Sequence, residues 1–252
     1  MELELKGKNA IISGSSRGIG LAIAIALHKE GCNVIINGRN KKKLQESAQK
    51  IGNNTDYFVA DVTKKSECQK LVKYANKIFG DIDILVCNVG DGKSSKPGEE
   101  KDTEWQKMID INLNSAINLI NSSKKSLKKT SGSIICISSI AGIERTDAPI
   151  PYSIAKSALN SYIKNNVKPF AKLGIRINGV APGNILFKGS IWEEKILKNK
   201  KRVYDMIATK VAMNRFGTPI EIANTVVFLS SQVSSFTTGN ILVIDGGQTK
   251  SF

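Results

Sequence analysis

Short, uninterrupted apolar runs alternate with amphipathic stretches along the whole chain of 252 residues. An uninterrupted apolar run predicts a strand buried on both faces, and an amphipathic stretch between two such strands predicts a crossover helix. The sequence therefore predicts an α/β fold, a doubly wound parallel sheet with helices on both faces, in one domain over residues 1–252. Seven strands are predicted, at residues 10–12, 33–36, 57–60, 82–87, 133–137, 175–180 and 241–245.

The predicted helices carry several boundary signals. Thr103 with Gln106 has the spacing of a capping box, and Pro219 with Glu221 has the pattern of a capped helix start. Pro169 is expected to kink or end the helix in which it lies. Residues 184–214 form a long charged insertion, expected to be helical and to act as a substrate lid. The helices themselves are predicted at residues 21–27, 41–51, 64–79, 103–129, 152–172 and 218–229.

Composition excludes several classes of protein. The longest apolar runs are about seven residues, too short to span a membrane, and the acidic start MELELKGKN is unlike a signal peptide, so a cytoplasmic protein is expected. The chain has one His and four widely spaced Cys without a C-x-x-C pair, which favours neither a metal site nor a disulfide framework. The net charge of +15 comes mainly from lysine, and aromatic residues make up only 6%. A solvated basic surface is therefore expected rather than a nucleic-acid partner.

A glycine-rich turn joins the first predicted strand to the first helix. Gly14, Gly18 and Gly20 follow the spacing G-x-x-x-G-x-G. A helix N-terminus beneath such a turn presents free backbone N–H groups and a positive dipole end, which attract a phosphate group. The pattern alone also fits a glycine turn that binds nothing.

Tyr152 and Lys156 lie four residues apart at the start of a predicted helix, and they therefore share one face. A lysine ammonium near a phenol lowers the pKa of the phenol, which could then pass a proton to a carbonyl oxygen. A Tyr-x-x-x-Lys pair also arises readily by chance in a lysine-rich chain. The pair gains weight because Ser138 and Ser139 end the preceding strand, at the edge of the sheet where ligands bind.

Eight segments together resemble the single-domain branch of the short-chain dehydrogenase/reductase family, which includes 3-oxoacyl-carrier-protein reductases and related ketoreductases. The resemblance covers nearly the whole chain and implies a Rossmann-type, NAD(P)-binding domain. The matching segments are SGSSRGIG (13–20), ADV (60–62), CNVG (87–90), DINL with Asn112, ISSIAG (137–142), YSIAK (152–156), INGVAPG (177–183) and LVIDGG (242–247).

The resemblance implies four catalytic residues. Tyr152 would be the general acid/base, and Lys156 would lower its pKa and hold the ribose hydroxyls. Ser139, rather than Ser138, matches the family serine because it stands thirteen residues before the tyrosine. Asn112 would hold a water in a proton relay to Lys156. A non-catalytic NADP-binding regulatory protein is the distant alternative, but it would be expected to lack one of the four.

The resemblance also implies the cofactor contacts. NAD-preferring relatives carry an Asp at the end of the second strand, where this chain has Gly38 followed by Arg39. Arg39 and Arg17 suit a 2′-phosphate, so NADP(H) is expected rather than NAD(H). Phe187 replaces the Thr with which many relatives hold the nicotinamide. The expected cofactor residues are Gly14, Ser16, Arg17, Gly18, Ile19, Gly20, Arg39, Asp61, Val62, Asn88, Gly90, Tyr152, Lys156, Pro182, Gly183 and Ile185.

The expected substrate is a small carbonyl or alcohol compound that is polar or anionic. Residues 91–101, 140–150 and 184–214 should form its pocket, and they are polar and basic. An acyl group carried by an acyl carrier protein or CoA is the first candidate, with Lys128, Lys129 and Lys172 placed to dock an acidic carrier. A sugar-like or surface-carbohydrate precursor is the alternative. The resemblance further implies a homotetramer packed through residues 103–129, 152–172 and the last strand.

Overall fold

The protein forms a parallel sheet of seven strands in the order β3-β2-β1-β4-β5-β6-β7. This computed structural model describes residues 2–95 and 97–250. In register, Ala10 pairs with Val34 on one side and with Ile84 on the other, so β1 lies between β2 and β4. The predicted Rossmann-type sheet is confirmed. The strands are β1 Asn9–Ile12, β2 Asn33–Gly38, β3 Thr55–Val59, β4 Ile84–Cys87, β5 Ser133–Ile137, β6 Arg176–Pro182 and β7 Ile241–Ile244.

Helices cover both faces of this sheet. The helices are α1 Gly18–Lys29, α2 Lys41–Ile51, α3 Lys65–Ile78, α4 Asp102–Ile109, α5 Ser115–Thr130, α6 Ile150–Ala171, α7 Ile191–Lys198, α8 Lys200–Lys210 and α9 Pro219–Ser230. Successive strand residues face opposite layers. Ile12 packs among α1, α2 and α9, whereas Ile11 packs among α3, α5 and α6. Each fully buried Ile contributes about 1.5–3 kcal/mol, which explains the uninterrupted apolar strands.

The structure contradicts one predicted helix cap and confirms another. The capping box at Thr103 and Gln106 is wrong, because the helix begins at Asp102 and the backbone N–H of Lys101 donates to Glu104 (3.1 Å). Glu104 occupies the third helical position, where its carboxylate reaches back to the free N–H groups. The cap of α9 is confirmed, since Thr218 donates from both its N–H and its hydroxyl to Glu221.

The long helix predicted over residues 103–129 is interrupted. A π-helical turn, Asp110–Asn114, separates α4 from α5. A single π turn inside a helix shifts the helical register and is frequent at functional sites. Helix α6 continues through Pro169 and ends two residues later, at Ala171, as the proline led us to expect.

The charged insertion, residues 184–214, contains α7 and α8 and is called the lid segment below. It has an apolar cluster of its own, in which Val203, Ile207 and Val211 pack with Phe216. Ser190 accepts a hydrogen bond at the start of α7, and Asn199 does so at the start of α8. In the part of the chain that the structure describes, no helix is long and apolar enough to cross a membrane.

Candidate active site

A cleft of about 1430 Å³ opens at the carboxyl ends of the strands. It lies over β1 and β4, where the strand order reverses and where doubly wound sheets bind their ligands. All the sequence-predicted site residues line this cleft except Gly18 and Asn112. The ring of Phe187 packs directly over Gly18, so closely that a Cβ there would overlap it. Asn112 is 1% exposed and lies behind the wall of the cleft.

The glycine turn approaches its neighbours too closely to admit side chains. Gly14 and Gly18 have φ values of 62° and 58°, a region that favours glycine. A Cβ at Gly20 would lie 2.5 Å from the backbone oxygen of Gly14. Because α1 begins at Gly18, its free N–H groups point into the turn. The turn can therefore admit a phosphate group close to its backbone, as the sequence predicts.

Asn88 joins the loop after β4 to this turn. Its backbone N–H donates to the hydroxyl of Ser13 (3.0 Å). Its side-chain amide donates to the backbone oxygens of Ser13 (3.1 Å) and Gly14 (3.0 Å). Asn88 thus stabilises the turn through three hydrogen bonds, which its position in the sequence did not indicate.

Arg17 and Arg39 both line the cleft, and Arg39 directly follows β2. Arg17 donates from Nη1 to the backbone oxygen of Gly189 in the lid segment (2.6 Å). Burial raises the pKa of Asp61, but hydrogen bonds from Thr63 and the charge of Arg39 outweigh it, and the pKa is below its ordinary value. The part of the cleft beside the end of β2 therefore combines a hydrogen-bonded carboxylate with a nearby guanidinium.

Helix α6 presents Tyr152 and Lys156 to the cleft on successive turns. The ammonium of Lys156 donates to the backbone oxygen of Ile137 (2.8 Å) and lies 5.8 Å from the centre of the Tyr152 ring. Lys156 is 2% exposed, and burial lowers its pKa to about 8. Gly90 permits this arrangement, because a Cβ there would lie 3.3 Å from Nζ.

The pKa of Tyr152 is raised above its ordinary value, not lowered. Burial is the largest cause, and the negative charge of Asp91 adds to it, while a hydrogen bond with Ser139 lowers the pKa. In the protein alone, the charge of Lys156 does not offset the burial of the phenol. Lowering this pKa towards neutrality therefore requires a further positive charge in the cleft.

The two serines at the end of β5 have different partners. The hydroxyl of Ser138 donates to the side chain of Asn160 (2.6 Å). The hydroxyl of Ser139 accepts from the N–H of Ala141 (3.1 Å) and forms a hydrogen bond with Tyr152. Only Ser139 can therefore take part in chemistry at Tyr152, because Ser138 is engaged with α6.

Asn112 lies in the π turn, where its side chain is fully engaged. The amide donates to the backbone oxygens of Asp91 (2.9 Å) and Met108 (3.1 Å). The amide oxygen accepts from the N–H of Asp91 (3.1 Å). Asn112 thus fixes the loop after β4 from both sides. Asp91 was not among the predicted site residues, and its position directly after the CNVG segment is its one signal in the sequence.

The remaining predicted residues lie where β6 ends. The N–H of Gly183 donates to the backbone oxygen of Ile244 (3.0 Å), so Gly183 belongs to the sheet edge. Ile185 forms an isolated bridge with Gly217, which fixes the first residues of the lid segment. Pro182, Gly183 and Ile185 therefore form one rigid wall of the cleft.

Comparison with known proteins agrees with this geometry. A family model described as enoyl-(acyl carrier protein) reductase matches residues 14–249. The 3-oxoacyl-[acyl-carrier-protein] reductase FabG of Rickettsia conorii is 37% identical over 246 residues, which are 97% of this chain and 98% of the relative. The chain belongs to the short-chain dehydrogenase/reductase family.

Other relatives support the same family. An uncharacterized oxidoreductase of Staphylococcus aureus is 36% identical over 183 residues, which are 72% of this chain and 79% of the relative. The crystal structure of L-sorbose reductase from Gluconobacter frateurii, complexed with NADPH and L-sorbose, superposes with a TM-score of 0.94. It is 29% identical and covers 100% of both chains. As a short-chain dehydrogenase/reductase, the protein is an oxidoreductase with a fold that binds a nicotinamide cofactor.

Proposed function

We propose that the protein uses NADP(H) to interconvert a ketone and a secondary alcohol on a polar or anionic substrate. The observation that carries this proposal is that Ser139, Tyr152 and Lys156 lie in one cleft with Arg17 and Arg39. A 3-oxoacyl thioester, on an acyl carrier protein or CoA, is the first candidate substrate. Its support is the 37% identity with a 3-oxoacyl-[acyl-carrier-protein] reductase, in an alignment that covers 97% of the chain.

The residues of the cleft fit a nicotinamide dinucleotide. The glycine turn is a cradle that a Cβ at Gly20 would fill, and the N-terminus of α1 favours a diphosphate there. Arg39 stands where an Asp would repel a 2′-phosphate, and this supports NADP(H) over NAD(H). Asp61 and Val62 would flank the adenine, and Asn88 and Gly90 would lie beneath the adenosine ribose. When bound, the cofactor supplies the hydride and, in its oxidised form, a positive charge.

Tyr152 would pass a proton to the oxygen of the ketone. Its raised pKa keeps the phenol protonated, which suits the acid in the reductive direction. Ser139 would donate to the same oxygen and stabilise the negative charge that develops on it. Lys156, held by the backbone oxygen of Ile137, would hold the ribose hydroxyls. Together with the positive charge of the oxidised cofactor, it would lower the pKa of Tyr152 from the raised value that it has in the protein alone. Asn112 would hold a water in the relay to Lys156.

Replacement of Tyr152 tests this mechanism. Tyr152→Phe should lower kcat by about 10²–10⁴-fold and leave NADPH affinity nearly unchanged, since only the proton donor is removed. The measurement is NADPH oxidation with acetoacetyl-CoA, keto sugars and small diketones. Tyr162→Phe, on the same helix, is the matched control and should keep its activity. Activity of Tyr152→Phe within a few-fold of the wild type would overturn the assignment.

A keto or hydroxy sugar is the second candidate substrate. Its support is the TM-score of 0.94 with a reductase complexed with L-sorbose, together with the polar lining of the cleft. Turnover of keto sugars without turnover of acetoacetyl thioesters would favour this candidate.

Docking of an acidic carrier would depend on Lys128 and Lys172, which are exposed. Lys129 is less available, because it donates to both carboxylate oxygens of Asp81 (3.2 and 3.0 Å).

The proposal also includes a cytoplasmic homotetramer packed through α4, α5, α6 and β7. Light scattering tests the assembly, and a monomer would contradict it.

A further inference from the structure

The charges of the lid segment are sorted between its two sides. Four of its cations line the cleft: Lys195, Lys198, Arg202 and Lys210. None of its three carboxylates does so. Glu193 accepts from the N–H of Gly189, Glu194 binds Lys93, and Asp205 binds Lys201. The cleft-lining charges of the lid segment are therefore all positive, and its carboxylates are engaged in other contacts.

Helical spacing produces this sorting. Lys195 and Lys198 are three residues apart on α7, and Arg202, Met206 and Lys210 follow each other at intervals of four on α8. Residues at these intervals share one face of a helix. The neighbouring Lys201 lies on the other face, with a side chain that is 87% exposed.

Three of the four cations remain available for a ligand. Lys210 forms an ion pair with Asp147, on the loop before α6. Lys195, Lys198 and Arg202 form no ion pair within 4.0 Å with any residue in the ranges 2–95 and 97–250. Asp147 attracts Lys195, and Glu194 attracts Lys198, but neither carboxylate contacts the cation.

One of these cations, Lys195, lies on an aromatic side chain. The ammonium of Lys195 lies 4.5 Å from the centre of the Trp192 ring, which is a cation–π contact. Trp192 packs in turn on Phe216, with 5.5 Å between the ring centres. Met206 and Trp192 also line the cleft, so apolar surface adjoins the charges.

We propose that Lys195, Lys198 and Arg202 bind a phosphate group carried by the substrate, on a stem that lies against Trp192 and Met206. This subsite rests on the ketone reductase function proposed above and specifies its substrate as a phosphorylated one. This subsite, called the seat below, begins near Tyr152, because Lys195 is attracted by Asp147, five residues before that tyrosine. Its other end lies nearer the glycine turn, because Glu194 attracts both Lys198 and Arg17. Three cations that line one cleft without an ion pair suit a negatively charged phosphate group.

Matched substrate pairs that differ only in one phosphate group test the proposal. The pairs are acetoacetyl-4′-phosphopantetheine with acetoacetyl-pantetheine, and D-fructose 6-phosphate with D-fructose. With saturating NADPH, the phosphorylated member of the pair that is turned over should have the higher kcat/KM. Arg202→Gln should reduce that preference about fivefold, mainly through KM, and leave kcat/KM for the neutral member unchanged. Lys195→Gln combined with Arg202→Gln should reduce it further.

Lys201→Gln is the matched control, because it removes the same charge from the outer face of the same helix turn. If the preference arises in the seat, this control leaves it unchanged. An equal loss in Lys201→Gln and Arg202→Gln would show general electrostatic attraction and overturn the seat. Absence of any preference for the phosphorylated member in the wild type would overturn it as well.

A binding measurement separates the seat from catalysis. In a Trp105→Phe background, Trp192 is the remaining tryptophan, so its fluorescence reports ligands beneath Lys195. With saturating NADP⁺ to fill the cofactor phosphate sites, 4′-phosphopantetheine should change this fluorescence, and pantetheine should not. If neutral ketones are reduced but a phosphate group on the substrate does not raise kcat/KM, the seat is overturned and the reductase proposal stands. Fluorescence binding without reduction of any ketone would support the seat and defeat the reductase proposal.

Discussion

The guanidinium of Arg17 donates a hydrogen bond of 2.6 Å to the backbone oxygen of Gly189. The glycine turn and the lid segment are therefore directly connected, across 172 positions of sequence. Phe187 reinforces the connection, because its ring packs over Gly18. A residue expected to bind the cofactor thus also holds the lid segment.

Replacement of Arg17 should consequently affect two properties together. Arg17→Ala should weaken NADPH binding and make residues 185–199 more sensitive to limited proteolysis, since the lid segment loses a contact with the turn. Arg39→Ala is the control, because Arg39 is expected to bind the 2′-phosphate without holding the lid segment. Equal protease sensitivity of the two variants would contradict the connection.

Arg39 should determine the choice of cofactor. Arg39→Asp should lower kcat/KM for NADPH by about tenfold or more and raise the relative use of NADH, because a carboxylate repels the 2′-phosphate. Lys42→Asp makes the same charge change on the adjacent helix α2 and should leave the ratio nearly unaltered. If Arg39→Asp keeps the wild-type ratio, the 2′-phosphate is bound elsewhere.

The two adjacent serines should separate stability from catalysis. Ser138→Ala removes the hydrogen bond to Asn160 and should cost about 1 kcal/mol of unfolding free energy, with kcat little changed. Ser139→Ala should instead lower kcat, because it removes the partner of Tyr152. Thermal unfolding and steady-state kinetics on both variants measure the separation, and a shared pattern would contradict it.

Burial of Lys156 should make the stability of the fold depend on pH. Its pKa is lowered from 10.5 in the unfolded chain to about 8 in the fold, so the unfolded state binds more protons between these values. Stability contributed by this group therefore rises as the pH increases from 8 to 10.5.

Lys156→Met removes the buried charge and should abolish turnover. At pH 7 it should increase the unfolding free energy by up to about 3 kcal/mol. The gain is reduced because the backbone oxygen of Ile137 loses its hydrogen-bond donor. The advantage over the wild type should shrink as the pH rises through 8 to 10.5, and denaturant unfolding at several pH values measures it. A difference that does not change with pH would contradict the lowered pKa.

Gly20 should tolerate no side chain. Gly20→Ala places a Cβ 2.5 Å from the oxygen of Gly14, which should cost about 1–3 kcal/mol and greatly weaken NADPH binding. Gly38→Ala is the control for stability, because its Cβ would meet no atom closer than 3.6 Å. Equal stability of both variants would mean that the turn can open to accept a methyl group.

The sequence predicted the sheet well, because strands buried on both faces must be apolar at every position. Ile11 and Ile12 show this, since each packs on a different layer. Short-range capping was predicted correctly at Thr218 and wrongly at Thr103. Near Thr103, both Glu104 and Gln106 can accept a hydrogen bond from the start of the helix, and the structure uses Glu104. The π turn at Asn112 could not be predicted, because no residue in that stretch breaks a helix.

The sequence predicted which residues line the cleft, but it could not predict several of the contacts between them. The pairing of Asn112 with the backbone of Asp91 and that of Arg17 with Gly189 join distant parts of the chain through backbone oxygens. Every residue carries such an oxygen, so no side-chain pattern marks these contacts. The raised pKa of Tyr152 likewise depends on burial, which the spacing of Tyr152 and Lys156 did not reveal.

Helix α1, which carries the glycine turn, packs against α9 through residues such as Ile23 and Ile222. The turn lies near the start of the chain, whereas α9 begins only at Pro219. During synthesis, therefore, the apolar face of α1 stays uncovered until α9 has left the ribosome. A nascent chain that stops before α9 exposes this face, so the glycine turn lacks the packing that supports it in the folded protein.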